Sequence, residues 1–273
     1  MQILIDQDLC KKDDICIESC PNRIIGSSPE NGFPMIIPGL EMLCISCGHC
    51  VSVCPHGALR HPNAPVEDCP PIQKELVITK EQAAQFLRAR RSIRVYKDAP
   101  VERETIQELI EIAGHAPTGG NSQLVRWIVI ADREKVHGLS ALTIEWMRQK
   151  LVEHPYQFRY PPEFLKLVIS GWEGGEDPIL RKAPALIVAT SPAVMATDPT
   201  LALSYFELAA TAMGLGTCWA GLLKAALLEY EPAMAAIGLT NDTSIFFYPL
   251  MLGYPKYKYR LLPRRNPPKI RWV

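Results

Sequence analysis

The sequence predicts a two-part chain of α+β class, a small cysteine-rich head followed by a larger body of mixed helix and strand. Three observations carry that expectation. Seven of the nine cysteines fall before residue 55. A proline-rich stretch then runs from His61-Pro62-Asn63-Ala64-Pro65 through Cys69-Pro70-Pro71, and this composition favours stiff, extended chain over helix. Beyond it, helical periodicities alternate with compact apolar runs. The boundary is placed in the proline-rich stretch, with the head over residues 1–65 and the body over 76–273.

The elements of the body follow in order. Thr79 with Gln82 fits a capping box that opens a helix through about Arg90. Ile106, Leu109, Ile110 and Ala113 recur at helical spacing, which predicts a second amphipathic helix over 102–114. Trp127 to Ala131 and Ala185 to Thr190 are apolar runs suited to strands. Between them Val136, Leu139, Thr143 and Trp146 suit another helix. Pro199 to Met213 is apolar nearly all round with one acid, the pattern of a buried central helix. Thr217 to Gly221 and Ile245 to Leu252 read as strands. Residues 155–180 mix Pro, Gly and aromatics without a clear period, and read as a lid or a surface loop.

Composition excludes several function classes. Formal net charge is zero, so nucleic-acid binding has no support at the level of the chain. The first 75 residues carry ten acids and five bases, leaving 19 acids and 24 bases to the rest. An acidic head on a basic body suits anion binding by the body or docking of the head; two solvated surfaces that cancel is the equal alternative. Met1 to Leu9 alternates around Asp6 and Asp8, which predicts no secretory signal. Leu201 to Leu228 is the most apolar region, but Glu207, Lys224 and several Gly interrupt it; a buried core helix is expected there rather than a membrane span. The expected location is cytoplasmic.

Cys44-x2-Cys47-x2-Cys50-x3-Cys54-Pro55 is the strongest motif. Its short spacers let successive thiolates converge on one centre, in the spacing of bacterial ferredoxins that bind iron–sulfur clusters. A zinc ribbon needs two pairs separated by a longer arm, and a thioredoxin-type pair needs no further Cys in register. Upstream, Cys10-x5-Cys16-x3-Cys20-Pro21 repeats the motif with Asp13 where the second Cys would stand. In the doubled pattern of two-cluster ferredoxins each fourth Cys serves the other cluster. Carried onto this chain, one cluster takes Cys44, Cys47, Cys50 and Cys20, and is [4Fe–4S]. The other takes Cys10, Cys16 and Cys54, with Asp13 opposite its fourth iron. A carboxylate is a harder ligand than thiolate, so that second site is [4Fe–4S] with Asp13 or solvent, or [3Fe–4S]. Asp13 as a plain solvated acid is the equal alternative. Cys69 and Cys218 stand outside both motifs and read as packing residues.

The body lacks G-x-G-x-x-G and G-x-x-x-x-G-K-[ST]. Three other segments suit a phosphate-bearing cofactor. Arg90-Arg91-Ser92-Ile93-Arg94 offers guanidinium forks and a hydroxyl, although an exposed basic helix end has the same composition. Ala116-Pro117-Thr118-Gly119-Gly120-Asn121-Ser122-Gln123 lets backbone approach a flat ring and offers amide donors. Gly253-Tyr254-Pro255 precedes Arg260, Arg264 and Arg265, an anion site or a basic tail.

In this order the segments closely resemble the nitroreductase family of FMN enzymes, from about residue 76 to the C-terminus. The whole chain resembles members fused to a ferredoxin domain. The resemblance implies a ferredoxin-like iron–sulfur domain followed by a nitroreductase-like three-layer α+β sandwich with a mixed sheet. It also implies a homodimer in which two protomers share two FMN sites. Arg90, Arg91, Ser92 and Arg94 then contact the FMN phosphate and ribityl chain, and Arg264 or Arg265 completes the clamp. Pro117, Thr118, Gly119 and Asn121 reach the flavin from the partner subunit, and Trp219-Ala220-Gly221 offers backbone N–H groups near N5. The family form N-S-Q-P-W is broken here, because Leu124, Val125 and Arg126 precede Trp127. Lys269 to Val273 is placed to act as an arm over the partner.

Three functions are compatible with these residues. The first is an FMN oxidoreductase passing electrons from clusters to FMN and on to a small electron-poor substrate such as a nitroaromatic or quinone, with external ferredoxin or NAD(P)H as donor. The second is an electron-transfer or redox-sensing module for a protein partner. The third is a conventional NAD(P)H-dependent nitroreductase. The six His are scattered and no hydrolase constellation appears, so no residue is singled out as the proton donor.

Overall fold

The computed structural model describes residues 3–153, 160–240 and 242–273. Met1 and Gln2 of the N-terminal alternating segment, and 155–159 of the expected lid, lie outside the described residues. The chain divides into two compact units. The first holds Met1–Ile78 together with Gly120–Ser122, and the second holds Thr79–Gly119 and Gln123–Val273.

The first unit is built twice over from one pattern. In chain order it contains strand β1 (Leu4–Ile5), helix α1 (Ile15–Glu18), strands β2 (Ile25–Ser27) and β3 (Pro34–Ile36), helix α2 (His49–Val53) and strand β4 (Leu59–Arg60). β1 pairs antiparallel with β4, and β2 with β3. Ile3, Cys16, Ile24, Ile25, Ile36, Val51 and Leu59 form its core. Left-handed backbone recurs at a constant spacing: Lys12, Asp14 and Arg23 in the first half match Ser46, Gly48 and Gly57 in the second. The same offset superposes Cys10, Asp13, Cys16 and Cys20 on Cys44, Cys47, Cys50 and Cys54. Asp13 therefore occupies the backbone position of Cys47. Non-glycine residues in this region each cost about 1–2 kcal/mol, so the loop shape is imposed rather than preferred. The stretch expected to be an extended connector starts differently. His61 bridges Ala64, a 3-10 turn covers Val66–Asp68, and Ala64, Val66 and Cys69 pack on the core of this unit. Apolar side chains, not proline content, decided its course.

The second unit runs α3 (Lys80–Ala89), α4 (Arg103–Ala113), β5 (Arg126–Ile130), α5 (Arg133–Glu153), α6 (Pro162–Glu173), β6 (Ala185–Pro192), α7 (Thr197–Ala212), β7 (Gly216–Trp219), α8 (Gly221–Glu229), α9 (Glu231–Ala236) and β8 (Ile245–Gly253). The capping box is present: Thr79 Oγ1 accepts from Gln82 N at 3.2 Å and Gln82 Oε1 from Thr79 N at 2.8 Å.

The sheet order is β5-β6-β8-β7, and every pair of strands is antiparallel. Among the described residues its mixed character comes from one parallel bridge, Ser92 to Thr217, on the outer edge of β7. Alternate residues of β6 and β8 face opposite layers. Ala185, Ile187, Ala189, Leu250 and Leu252 pack against α4 and α7. Leu186, Val188 and Met251 pack against α5, α6, α8 and α9. The result is a three-layer α+β sandwich whose central strands are covered on both sides, which is why Ala185–Ala189 reads as an unbroken apolar run.

Two expectations for this unit are corrected. Within 155–180, helix α6 buries Leu165, Val168 and Ile169, so that stretch supplies core rather than a lid or plain loop. Pro at its first turn presets the backbone, and Leu165, Val168, Ile169 and Trp172 stand at the helical spacing i, i+3, i+4, i+7, a period obscured by the surrounding Pro, Gly and aromatic residues. Leu201 to Leu228 is not one helix: it comprises most of α7, all of β7 and most of α8, because Gly214 (φ 78°) ends α7 and the chain turns into the sheet. Among the described residues no helix is long and apolar enough to cross a membrane.

Candidate functional site

The first unit holds two cysteine-lined cavities. One is lined by Cys20, Cys44, Cys47 and Cys50, with Ile24 and His61. The other is lined by Cys10, Asp13, Cys16 and Cys54, with Ile5 and His56. The chain thus crosses over as the doubled spacing requires, each fourth Cys of a motif joining the other motif's cavity. Among the described residues no three His, Cys, Asp or Glu converge on one ion position. Thiols spread around a cavity suit a cluster, which presents a separate iron to each ligand.

Burial raises the Cys16 thiol to about 11, and the neighbouring Cys54, Cys50 and Cys10 add to the shift. Burial also raises Cys50. Such thiols become thiolates only beside a strong positive centre, which is what bound iron supplies. Two donors meet the sulfurs: Ala58 N donates to Cys54 Sγ at 3.4 Å, and His61 Nε2 lies 3.5 Å from Cys44 Sγ. Asp13 Oδ2 lies 3.6 Å from His56 Nε2, and its Oδ1 accepts from Ile15 N at 3.4 Å.

In the second unit the basic segment after α3 and the C-terminal segment meet. Arg88, Arg90, Arg91 and Arg265 line one pocket of about 450 Å³ with Leu87 and Leu262. Arg91 Nη1 donates to the carbonyls of Arg88 and Arg90, while its Nε is buried and, among the described residues, has no hydrogen-bond partner. A pocket ringed by guanidinium groups, one with an unsatisfied buried N–H, fits a phosphate. Arg264 and Arg94 do not line it. Arg94 instead lies near Cys218, where its charge opposes the upward shift that burial imposes on that thiol. Arg88 was missed by the sequence reading; its signal was the Arg88-Ala89-Arg90-Arg91 run.

Arg90 has a second partner. Its Nη1 donates to Glu207 Oε1 at 3.0 Å, and Thr217 Oγ1 donates to the same oxygen at 3.0 Å. Trp219 Nε1 donates to Glu207 Oε2 at 3.3 Å. Glu207, buried in α7, therefore ties the Arg90 segment to β7. Backbone reinforces the tie, as Ile93 N donates to Thr217 O at 2.8 Å. The approach needs glycine: a Cβ at Gly216 would lie 2.8 Å from Ile93 Cβ and 2.9 Å from Pro255 Cγ. Ser92 is thereby held against the strand that ends in Trp219.

Beyond Trp219, Ala220 N donates to Pro249 O at 3.0 Å, so this N–H is already engaged. Gly221 opens α8, where the first N–H groups lack intrahelical acceptors. Trp219 packs edge-on against Tyr248, and Lys224 Nζ sits 4.0 Å from the centre of that ring. Burial lowers the Lys224 ammonium, which sequence reading treated only as a break in an apolar run.

The polar loop after α4 is divided between the units. Gly119 N donates to both oxygens of the buried Asp198 at 3.2 Å, and Thr118 Oγ1 accepts from Gln123 N at 3.1 Å. Pro117 precedes them without a backbone donor. Gly120–Ser122 group with the first unit, in which Asn121 Nδ2 donates to the carbonyls of Ile45 and Ser46 at 3.1 Å.

Residues 87–254 match the model of the nitroreductase family, and residues 8–59 match that of a 4Fe-4S dicluster domain. The chain is 28% identical over 194 residues to a protein of Archaeoglobus fulgidus whose name ascribes to it NADH dehydrogenase/NAD(P)H nitroreductase activity. That match covers 70% of this chain and 97% of the relative. In fold it is similar to a nitroreductase with bound FMN from Desulfitobacterium hafniense, with a TM-score of 0.54 and 22% identity over 72% of this chain and 100% of that one. It is also similar to a BluB-like flavoprotein from Clostridium difficile, with a TM-score of 0.54 and 21% identity over 68% of this chain and 94% of that one. A cysteine-rich head of two cavities and a three-layer body with an arginine pocket accord with both matches, and the chain belongs to the nitroreductase family of oxidoreductases and carries a 4Fe-4S dicluster domain at its N-terminus.

Proposed function

We propose that the protein is an FMN-dependent oxidoreductase that takes electrons singly through two clusters and delivers them to a small electron-poor molecule such as a nitroaromatic or quinone. The observation that carries this reading is the pairing of two cysteine-lined cavities with an arginine-ringed pocket in one chain. FMN, when bound, supplies the exchange between one-electron and two-electron chemistry. Arg88, Arg91 and Arg265 hold its phosphate, and Arg90 and Ser92 order the segment beside it. Gly221 N–H, at the start of α8, is the donor toward N5, and Ala220 shapes the turn. Cys20, Cys44, Cys47 and Cys50 hold a [4Fe–4S] cluster. Cys10, Cys16 and Cys54 hold the second, of [4Fe–4S] or [3Fe–4S] type, with Asp13 at its fourth position.

Two protomers share the flavin sites in this reading, with Pro117, Thr118 and Gly119 near the partner's flavin. Exposed Leu261, Ile270 and Trp272 in the C-terminal segment support an arm that packs on a second copy. A cytoplasmic location belongs to this reading, because cysteines that hold clusters must stay out of disulfides, as a reducing compartment keeps them.

External ferredoxin is the proposed donor. A second reading, hydride supply by NAD(P)H directly to the body, is favoured by the name of the Archaeoglobus relative. Anaerobic absorbance titration of the cofactor-loaded protein with NADH, NADPH and reduced ferredoxin separates the two. Bleaching of cluster and flavin bands by ferredoxin alone is expected. Rapid flavin bleaching by a nicotinamide, with the cluster bands lagging, would establish the second reading.

A further inference from the structure

His61 is 2% exposed, and both of its ring nitrogens are engaged. Asn63 N lies 3.1 Å from Nδ1. A backbone amide nitrogen can only donate, so Nδ1 must be the acceptor and carries no proton. The imidazole is therefore the neutral tautomer with its proton on Nε2. That nitrogen lies 3.5 Å from Cys44 Sγ, inside the cavity lined by Cys20, Cys44, Cys47 and Cys50.

From this geometry we infer that His61 is a positioning residue for redox potential: its Nε2–H donates to the Cys44 sulfur and raises the reduction potential of the cluster held there. The inference rests on the cluster reading of the cysteine-lined cavities. Each electron that a donor protein delivers to a cluster adds negative charge to its sulfurs. A donor fixed against one sulfur stabilises the reduced form more than the oxidised one, and buried surroundings strengthen the effect.

The device belongs to one half of the repeat only. The offset that relates Cys44 to Cys10 relates His61 to Ser27 and Asn63 to Pro29, and Pro29 has no N–H to set a tautomer. Two motifs with the same backbone therefore differ in whether a histidine ring meets a sulfur. The His61 bond acts on the cluster of Cys20, Cys44, Cys47 and Cys50, whereas the other cavity meets the backbone N–H of Ala58 at Cys54.

The test is an EPR-monitored redox titration of the full-length, iron-loaded protein, with iron and sulfide measured alongside, for wild type, His61→Phe and His61→Gln. His61→Phe keeps ring volume without the donor. It is expected to retain wild-type iron and to lower the reduction equilibrium constant of one cluster about tenfold, or about 59 mV for one electron. His61→Gln, which restores an N–H, is expected to return the potential toward wild type. Unchanged potentials in an iron-replete His61→Phe would overturn the inference. If His61→Phe does not load, pulsed EPR of 15N-histidine-labelled protein decides. A nitrogen coupling to the reduced cluster that vanishes in His61→Gln supports the bond, and identical spectra overturn it. A wild-type protein that binds no iron or sulfide overturns the cluster reading itself, and does so before any potential is read.

Discussion

Glu207 brings three donors onto one buried carboxylate, from Arg90, Thr217 and Trp219. Removing Arg90 would leave that carboxylate with Thr217 and Trp219 but without its counter-charge in the core, and breaking a buried ion pair costs about 3–5 kcal/mol. Arg90→Ala is therefore a poor probe of cofactor binding, since fold and site fail together. Arg265 is the better probe, because it lines the pocket and its ordinary environment is solvent. Arg265→Ala should weaken FMN binding about tenfold or more, the worth of a hydrogen bond to a charged group, and leave riboflavin binding unchanged. Fluorescence titration with the two flavins checks this. Equal losses for both would mean that Arg265 does not meet the phosphate. The individual residues of the site were legible as types in a motif, but the division of labour among neighbouring arginines was not. It depends on Glu207, 117 residues beyond Arg90.

At the scale of elements, β7 is the strand on which the proposed flavin segments depend. Ser92 bridges its outer edge, Gly216 admits Ile93 and Pro255, and Trp219 to Gly221 continue from its end. Gly216→Ala places a methyl where no space exists, at a cost of about 1–3 kcal/mol for overpacking. It should lower thermal stability and flavin retention together, measured by thermal unfolding and by flavin content after gel filtration. Full flavin retention would show that the Ser92 segment does not need this close approach. Elements with a strong local signal, such as the capped α3 and the apolar β6, were readable from sequence because their determinants lie within one segment. α6 was overlooked although Leu165, Val168, Ile169 and Trp172 keep helical spacing, because Pro, Gly and aromatic residues around it masked that period.

At the scale of the whole molecule, the two cofactor-bearing parts are proposed to load separately, within 1–65 and 76–273. Cys47→Ser should lose the cluster of Cys20, Cys44 and Cys50 and keep FMN, as read from iron content and flavin absorbance. Loss of both cofactors would contradict separate loading. The repeat within the first unit predicts in addition that the cluster of Cys10, Cys16 and Cys54 survives, so about half of the iron should remain where both clusters are [4Fe–4S]. Left-handed backbone at matched positions gives the two halves the same loop shape.

Sequence alone yielded the exchange of the fourth cysteine between motifs, Asp13 in the place of a second cysteine, the main helices and strands, and the arginine segments. These are properties of spacing and local period, which need no partner from elsewhere in the chain. Tertiary structure decided what each residue meets. It closed the proline-rich stretch onto the first unit through Val66 and Cys69. It set Arg90 on Glu207, grouped Arg88 with Arg265, and aimed the His61 imidazole at Cys44. Those outcomes depend on side chains far apart in sequence, and on burial, which makes each unmet donor or acceptor costly enough to select one arrangement.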